Sequence, residues 1–182
     1  MLFLVLLIGL YLALPVAAEN VAGNSASINY IAKAQNTAAD DSSLAIKKKA
    51  IKQVLEKYQS TLVMEVDNFI STCVKYDLDC FFLPAIAGVE SSFGNAVLPN
   101  SYNPFGWGRG LINFSSWSQA IDTVGRGLRE DYINKGATTI DQIGAIYCEG
   151  NTWTAKVRFF MEQINNEAEK SRLLFIKNPV EL

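Results

Sequence analysis

Apolar residues recur at helical spacing from Ser43 onward. Leu44, Ile46, Ala50, Ile51, Val54, Leu55 and Tyr58 share one side of the pattern, while lysines fill the other, which predicts an amphipathic helix packed by its apolar face. The polar run YQST ends it. Val63, Val66, Phe69, Ile70, Cys73 and Val74 predict a second helix from about Leu62 to Tyr76. DLD is then a turn, with Asp79 placed to cap a third helix from about Cys80 to Ser91 or Ser92. Pro84 either bends the first turn of that helix or moves its start toward Leu83, and Gly94 is its stop.

Positions 95–113 hold Gly, Pro and Asn too densely for regular structure beyond a short extended pair. A helix starting at Ser115 or Ser116 carries Trp117, Ala120, Ile121, Val124, Leu128 and Tyr132 on one face and closes at Gly136. In TTIDQIGAIYCEG, Thr139 precedes Gln142 by the capping-box spacing and predicts a shorter helix. A long helix follows from about Trp153 to Glu169. The expected class is therefore mainly α, with about five to seven helices around one irregular loop.

The start of the chain obeys a different pattern. Leu2 to Ala18 is apolar, and Pro15-Val16-Ala17-Ala18 supplies small residues before Glu19. Residues 1–18 thus read as a signal peptide or, uncleaved, as a membrane anchor through residues 2–18. Residues 19–42, rich in Ala, Asn, Ser and Asp, read as a flexible N-terminal segment, and residues 43–176 as the folded domain. The expected location is extracytoplasmic, secreted or anchored at the cell envelope. Cys73, Cys80 and Cys148 suit that compartment; a bridge between the first two, or from either to Cys148, is open.

Composition narrows the chemistry. The chain of 182 residues has a formal charge of −2 and no histidine, which removes Ser-His-Asp and Cys-His catalysis. Without histidine or a CxxC pair, no zinc site is expected, and no cofactor. The cluster IKKKAIKQVLEK reads as a solvated helix face, so nucleic acid is not an expected partner. The domain is expected to be a monomer.

FFLPAIAGVESSFGNAVLPNSYNPFGWG contains a single carboxylic acid, Glu90, and no basic residue. Glu90 follows Leu83, Ile86 and Ala87 at helical spacing, so it continues an apolar stripe. Low dielectric on one side raises a carboxyl pKa toward that of a general acid. The alternative is a solvated glutamate at a helix end. In the loop, Tyr102, Asn103, Phe105 and Trp107 suit the floor of a sugar cleft, amides binding hydroxyls and an indole stacking on a ring; Phe105 also reads as a core plug. IYCEGNTW adds Tyr147, Glu149 and Trp153 at a glycine-broken junction. Tyr147 is either a buried phenol or a group facing Glu90, and Glu149 reads as solvated.

LPAIAGVESSFGNAV resembles the catalytic-glutamate motif of the lysozyme-like superfamily, particularly lytic transglycosylases. SYNPFGWG resembles the Asn-x-Phe-Gly loop of bacterial peptidoglycan N-acetylglucosaminidase-like domains, and AIYCEGNTWTAKV is similar to their Tyr-containing C-terminal segment. Together the likeness spans about Val66 to Ile164. It implies a lysozyme-like helical domain with a cleft-lining loop, acting on the β-1,4 bonds of peptidoglycan glycan strands. Glu90 would be the general acid and Tyr147 a second catalytic residue. Ser91, Tyr102, Asn103, Phe105, Trp107 and Trp153 would bind substrate. The first expectation is an N-acetylglucosaminidase; the alternatives are a lytic transglycosylase giving 1,6-anhydromuramyl products and a non-catalytic peptidoglycan-binding module. No Gly-Leu-Met-Gln segment follows the glutamate, and Cys148 stands where the glucosaminidase-like domains have Ala.

Overall fold

A computed structural model describes residues 37–147 and 152–177. The expected leader or anchor, most of the N-terminal segment, Cys148 and Glu149 lie outside the described residues. Those described form six α-helices and no strand: α1 Thr37–Lys57, α2 Val66–Lys75, α3 Phe82–Ser91, α4 Trp117–Gly127, α5 Ile140–Tyr147 and α6 Trp153–Lys177. The mainly α class holds, and the extended pair allowed for positions 95–113 does not form. No helix among the described residues is long and apolar enough to cross a membrane.

The helix faces follow the apolar period. Ile46, Ala50, Ile51, Val54 and Leu55 of α1 are buried, and α1 packs along α6, which in turn packs on α3. α3 is the central element, buried at every residue from Phe82 to Gly88. Its entry is fixed by Asp79, whose carboxylate accepts the Phe81 N–H at 2.8 Å while its carbonyl accepts that of Phe82 at 3.0 Å. Pro84 sits within the first turn, where its missing N–H costs no helical bond.

Local caps appear where expected. The Thr139 hydroxyl accepts the Gln142 N–H at 3.2 Å, and the Gln142 side chain returns to the Thr139 N–H at 3.1 Å, closing the capping box. Ser116 caps α4 by accepting the Gln119 N–H at 3.1 Å. Several boundaries differ from the sequence reading, among them the start of α2 at Val66 and the end of α6 at Lys177. α1 begins at Thr37, inside the segment expected to be flexible, because AADDSS tolerates helix without supplying an apolar period. The helix expected to run to Gly136 instead loosens after Gly127 into a π turn, Leu128–Tyr132, and tightens into a 3-10 turn, Ile133–Lys135. Arg129 in that π turn donates to the Tyr76 carbonyl at 2.6 Å and to the Asp77 carbonyl. It thereby satisfies orphan acceptors just beyond the end of α2.

Cys73 and Cys80 form a disulfide with their Cα atoms 4.9 Å apart, closing the turn between α2 and α3. It tethers the entry of the helix that carries Glu90. Closing a loop this short removes little chain entropy, worth about 2–3 kcal/mol. Replacing both cysteines by alanine is expected to lower the urea midpoint by that amount of stability with an unchanged denaturant slope. An unchanged midpoint would contradict the bridge.

Candidate active site

α3 delivers Glu90 to its last turn and then stops abruptly. Ser92 and Phe93 both take left-handed backbone conformations, φ 50° and 58°, and Phe93 turns back to donate its N–H to the Ala87 carbonyl at 2.9 Å. Phe93 is thereby buried against Tyr58 and Phe160, with ring centroids 4.8 and 5.0 Å away. The hard stop leaves Glu90 half-buried at the mouth of the helix while Ser91 beside it is sealed in.

The loop after α3 is held by side chains rather than by a ladder. The Ser91 hydroxyl shares its proton between the Pro104 carbonyl, 2.8 Å away, and the Ala87 carbonyl, 3.0 Å away, and accepts the Gly94 N–H at 2.8 Å. Asn103 closes the tip. Its Oδ1 accepts the Trp107 N–H at 3.0 Å, and its Nδ2 donates to the carbonyls of Trp107 and Ile112 at 2.9 and 3.0 Å. Phe105 is fully buried and plugs the loop into the core. Tyr102 and Arg109 sit at φ 46° and 59°, a left-handed conformation that side chains enter at a cost and that collects at functional sites.

Four aromatic rings connect this loop to Glu90. Trp107 lies 5.8 Å from Tyr147 and 6.2 Å from Tyr132, and packs so closely on Gly127 that a Cβ there would meet its ring at 2.6 Å. Tyr147 stacks on Trp153 with centroids 4.9 Å apart and planes 25° apart. Trp153 donates its indole N–H to Glu90 Oε1 at 2.7 Å. The Tyr147 hydroxyl donates to the Phe105 carbonyl at 2.7 Å. The loop is thus tied to the acid from two sides, through Ser91–Pro104 and through Phe105–Tyr147–Trp153.

Burial pushes the Glu90 carboxyl above the ordinary glutamate range; the Trp153 N–H and the charge of Lys156 pull it back only in part. Chemically, this is a carboxyl group that keeps its proton to higher pH than a solvated glutamate and can still reach solvent. A surface hollow of about 510 Å³ opens between Gly88–Val89 of α3 and Thr152, Ala155, Lys156, Phe159 and Phe160 of α6, and Glu90 is not among the residues that line it.

No family model matches the chain. No curated protein is significantly similar to it either. The site therefore stands on its own geometry.

Most of the residues expected to bind substrate are buried. Ser91, Asn103, Phe105 and Trp153 are all buried, between 0% and 6% exposed. Ser91 and Asn103 spend their polar groups on the loop backbone, Phe105 fills the core, and Trp153 spends its N–H on Glu90. These four shape the site from behind. Tyr102 is exposed but packs edge-to-face on Trp117 at 5.1 Å. Trp107 is half-buried, so part of its indole remains available to a ligand. Two participants escaped the sequence reading. Lys156 lies one turn after Trp153 on α6, and that spacing was its available signal. Tyr132 enters the cluster only because the helix loosens after Gly127, which the sequence does not announce.

Asn103→Ala is expected to leave one N–H donor, that of Trp107, and two carbonyl acceptors, those of Trp107 and Ile112, without their side-chain partner, and to cost about 1–3 kcal/mol. Amide exchange at Trp107 should quicken far more than exchange in α1. Uniform quickening throughout, or none, would show that Asn103 does not hold the loop.

Proposed function

We propose that the protein is a glycosidase that cleaves β-1,4 bonds in the glycan strand of peptidoglycan, with Glu90 as general acid and an N-acetylglucosaminidase as the first reading. The observation that carries it is the Glu90 carboxyl itself. It is half-buried, raised above its ordinary pKa by that burial, gripped at one oxygen by Trp153, and set beside an aromatic loop. A solvent-reachable carboxyl that keeps its proton to higher pH than an ordinary glutamate suits protonation of a glycosidic oxygen. The helical architecture and the likeness of VESSFG and NPFGWG to the lysozyme-like superfamily support the same reading.

The two-carboxylate template for glycosidases, of which lysozyme is the type case in general accounts, places a base or nucleophile opposite the acid. Here the charge that bears on Glu90 is the cation Lys156. Among the described residues no second carboxylate bears on Glu90, which favours routes in which the substrate assists itself. Its 2-acetamido oxygen attacks the anomeric carbon as the leaving oxygen takes the Glu90 proton, and water then opens the intermediate. The same acid supports the second reading, lytic transglycosylation: once deprotonated, Glu90 takes the proton of the 6-hydroxyl, which closes on the anomeric carbon as a 1,6-anhydro ring. Tyr147 assists in either case by fixing Trp153 and the loop.

The proposal is tested by incubating purified peptidoglycan with the protein and measuring soluble glycan fragments. Release of fragments supports a glycosidase. Sedimentation with the wall and no release from any wall type would leave a non-catalytic binding module of the same architecture.

A further inference from the structure

The two oxygens of Glu90 are in different surroundings. Oε1 accepts the Trp153 indole N–H at 2.7 Å. An indole nitrogen is a donor only, so a proton on Oε1 would have to compete with that N–H for the same oxygen. Oε2 faces the loop at Gly106, where a Cβ built on the backbone would lie 3.0 Å from it. Gly106 sits at φ 60°, a conformation that admits glycine freely. The missing side chain therefore does two things: it permits the turn, and it lets the loop backbone approach Oε2 without a contact at 3.0 Å.

We propose that Trp153 and Gly106 divide the labour of the Glu90 carboxyl: Trp153 holds Oε1 as a fixed acceptor, so that Oε2, on the side of the loop at Gly106, carries the transferable proton. Trp153 is a positioning residue, and Gly106 sets where the acceptor oxygen lies. The inference rests on the glycosidase reading for the identity of that oxygen, which is the glycosidic one. As the anomeric carbon–oxygen bond breaks, the leaving oxygen takes the proton from Oε2, and the electron pair of the O–H bond stays on the carboxylate. The Trp153 N–H and Lys156 face the new negative charge. A water or sugar hydroxyl adding to the anomeric carbon then returns a proton to Oε2, restoring the acid. From α5 the neighbouring titratable group is Tyr147, stacked on Trp153, with Tyr132 behind it at 6.2 Å; positions 103–107 of the loop contribute no ionisable side chain.

Trp153→Phe keeps an aromatic ring for Tyr147 to stack on and removes the N–H. Infrared titration of the Glu90 carboxyl, assigned as the band lost in Glu90→Gln, should show its pKa rising by about one unit in the variant, since a hydrogen bond to the charged form is lost. The basic limb of the kcat/KM profile should move up by the same amount, while kcat falls at least about tenfold. An unchanged pKa in a variant with parent-like circular dichroism would overturn the assignment. Gly106→Ala is the second arm. It should lower turnover by more than about tenfold with sedimentation on peptidoglycan retained; parent-like turnover would show that Oε2 does not deliver the proton beside Gly106. If the parent releases no glycan fragments, the glycosidase reading fails. The infrared titration then still decides whether Trp153 holds Oε1.

Discussion

Replacing Glu90 by glutamine is expected to abolish release of glycan fragments while leaving the fold and wall binding intact. The loss should be about 10²–10⁴-fold, the usual contribution of a positioned general acid. Folding should survive because the amide oxygen of glutamine can accept the Trp153 N–H just as Oε1 does. Stability should even rise near neutral pH. Glu90 has a folded pKa raised by burial, so between its ordinary and raised values the folded chain holds a proton that the unfolded chain has released. Folded stability therefore falls as pH rises through that window, and glutamine is spared the fall. Urea melts of parent and variant should nearly coincide at acid pH and separate in favour of the variant above the raised pKa. A variant less stable at neutral pH than at acid pH, relative to the parent, would mean that ionised Glu90 is stabilising and that burial does not govern it.

Phe105→Ala is expected to give the largest loss of stability. The ring is fully buried at the centre of an otherwise irregular loop, and removal of a buried phenylalanine costs about 3–5 kcal/mol. For a domain of this size that lowers the melting temperature by roughly 6–20 °C. The damage should reach the acid as well. The Phe105 carbonyl holds the Tyr147 hydroxyl, Tyr147 stacks on Trp153, and Trp153 holds Glu90. Activity per folded molecule should drop along with stability, whereas a core truncation remote from this chain, such as Ile51→Ala in α1, should reduce stability alone. Equal specific activity in the two variants would show that the aromatic relay does not position the acid.

The helices were legible because their causes are local. Apolar spacing fixes the buried faces of α1 and α2, and the Thr139–Gln142 pair announces the start of α5 within four residues. The extra turns of α1 were not, since AADDSS needs no buried face to be helical. α6 likewise runs past Glu169 to Lys177, supported by the spaced pairs Glu167–Lys170 and Glu169–Arg172 that an apolar period does not register.

At the site, residue types were legible and their roles largely were not. Glu90, Tyr147 and Trp153 stand out as an acid and two aromatics in an uncommon setting. Which side of the site each aromatic serves depends on contacts between residues far apart in sequence, 63 positions for Trp153 and Glu90. An indole beside a glycine-broken junction looks the same in sequence whether it awaits a sugar or grips a carboxylate. The left-handed turns at Tyr102 and Arg109 had no local signal at all, because neither residue type favours that conformation.

The most direct measurement is mass spectrometry of the fragments released from defined peptidoglycan, after borohydride reduction. The expected products carry new reducible N-acetylglucosamine ends, produced by the parent and absent with Glu90→Gln; anhydromuramyl ends with the same dependence would keep the acid and change both the bond cut and the acceptor. Glycan strands left uncut by the parent, or cut equally well by Glu90→Gln, would contradict the proposed activity.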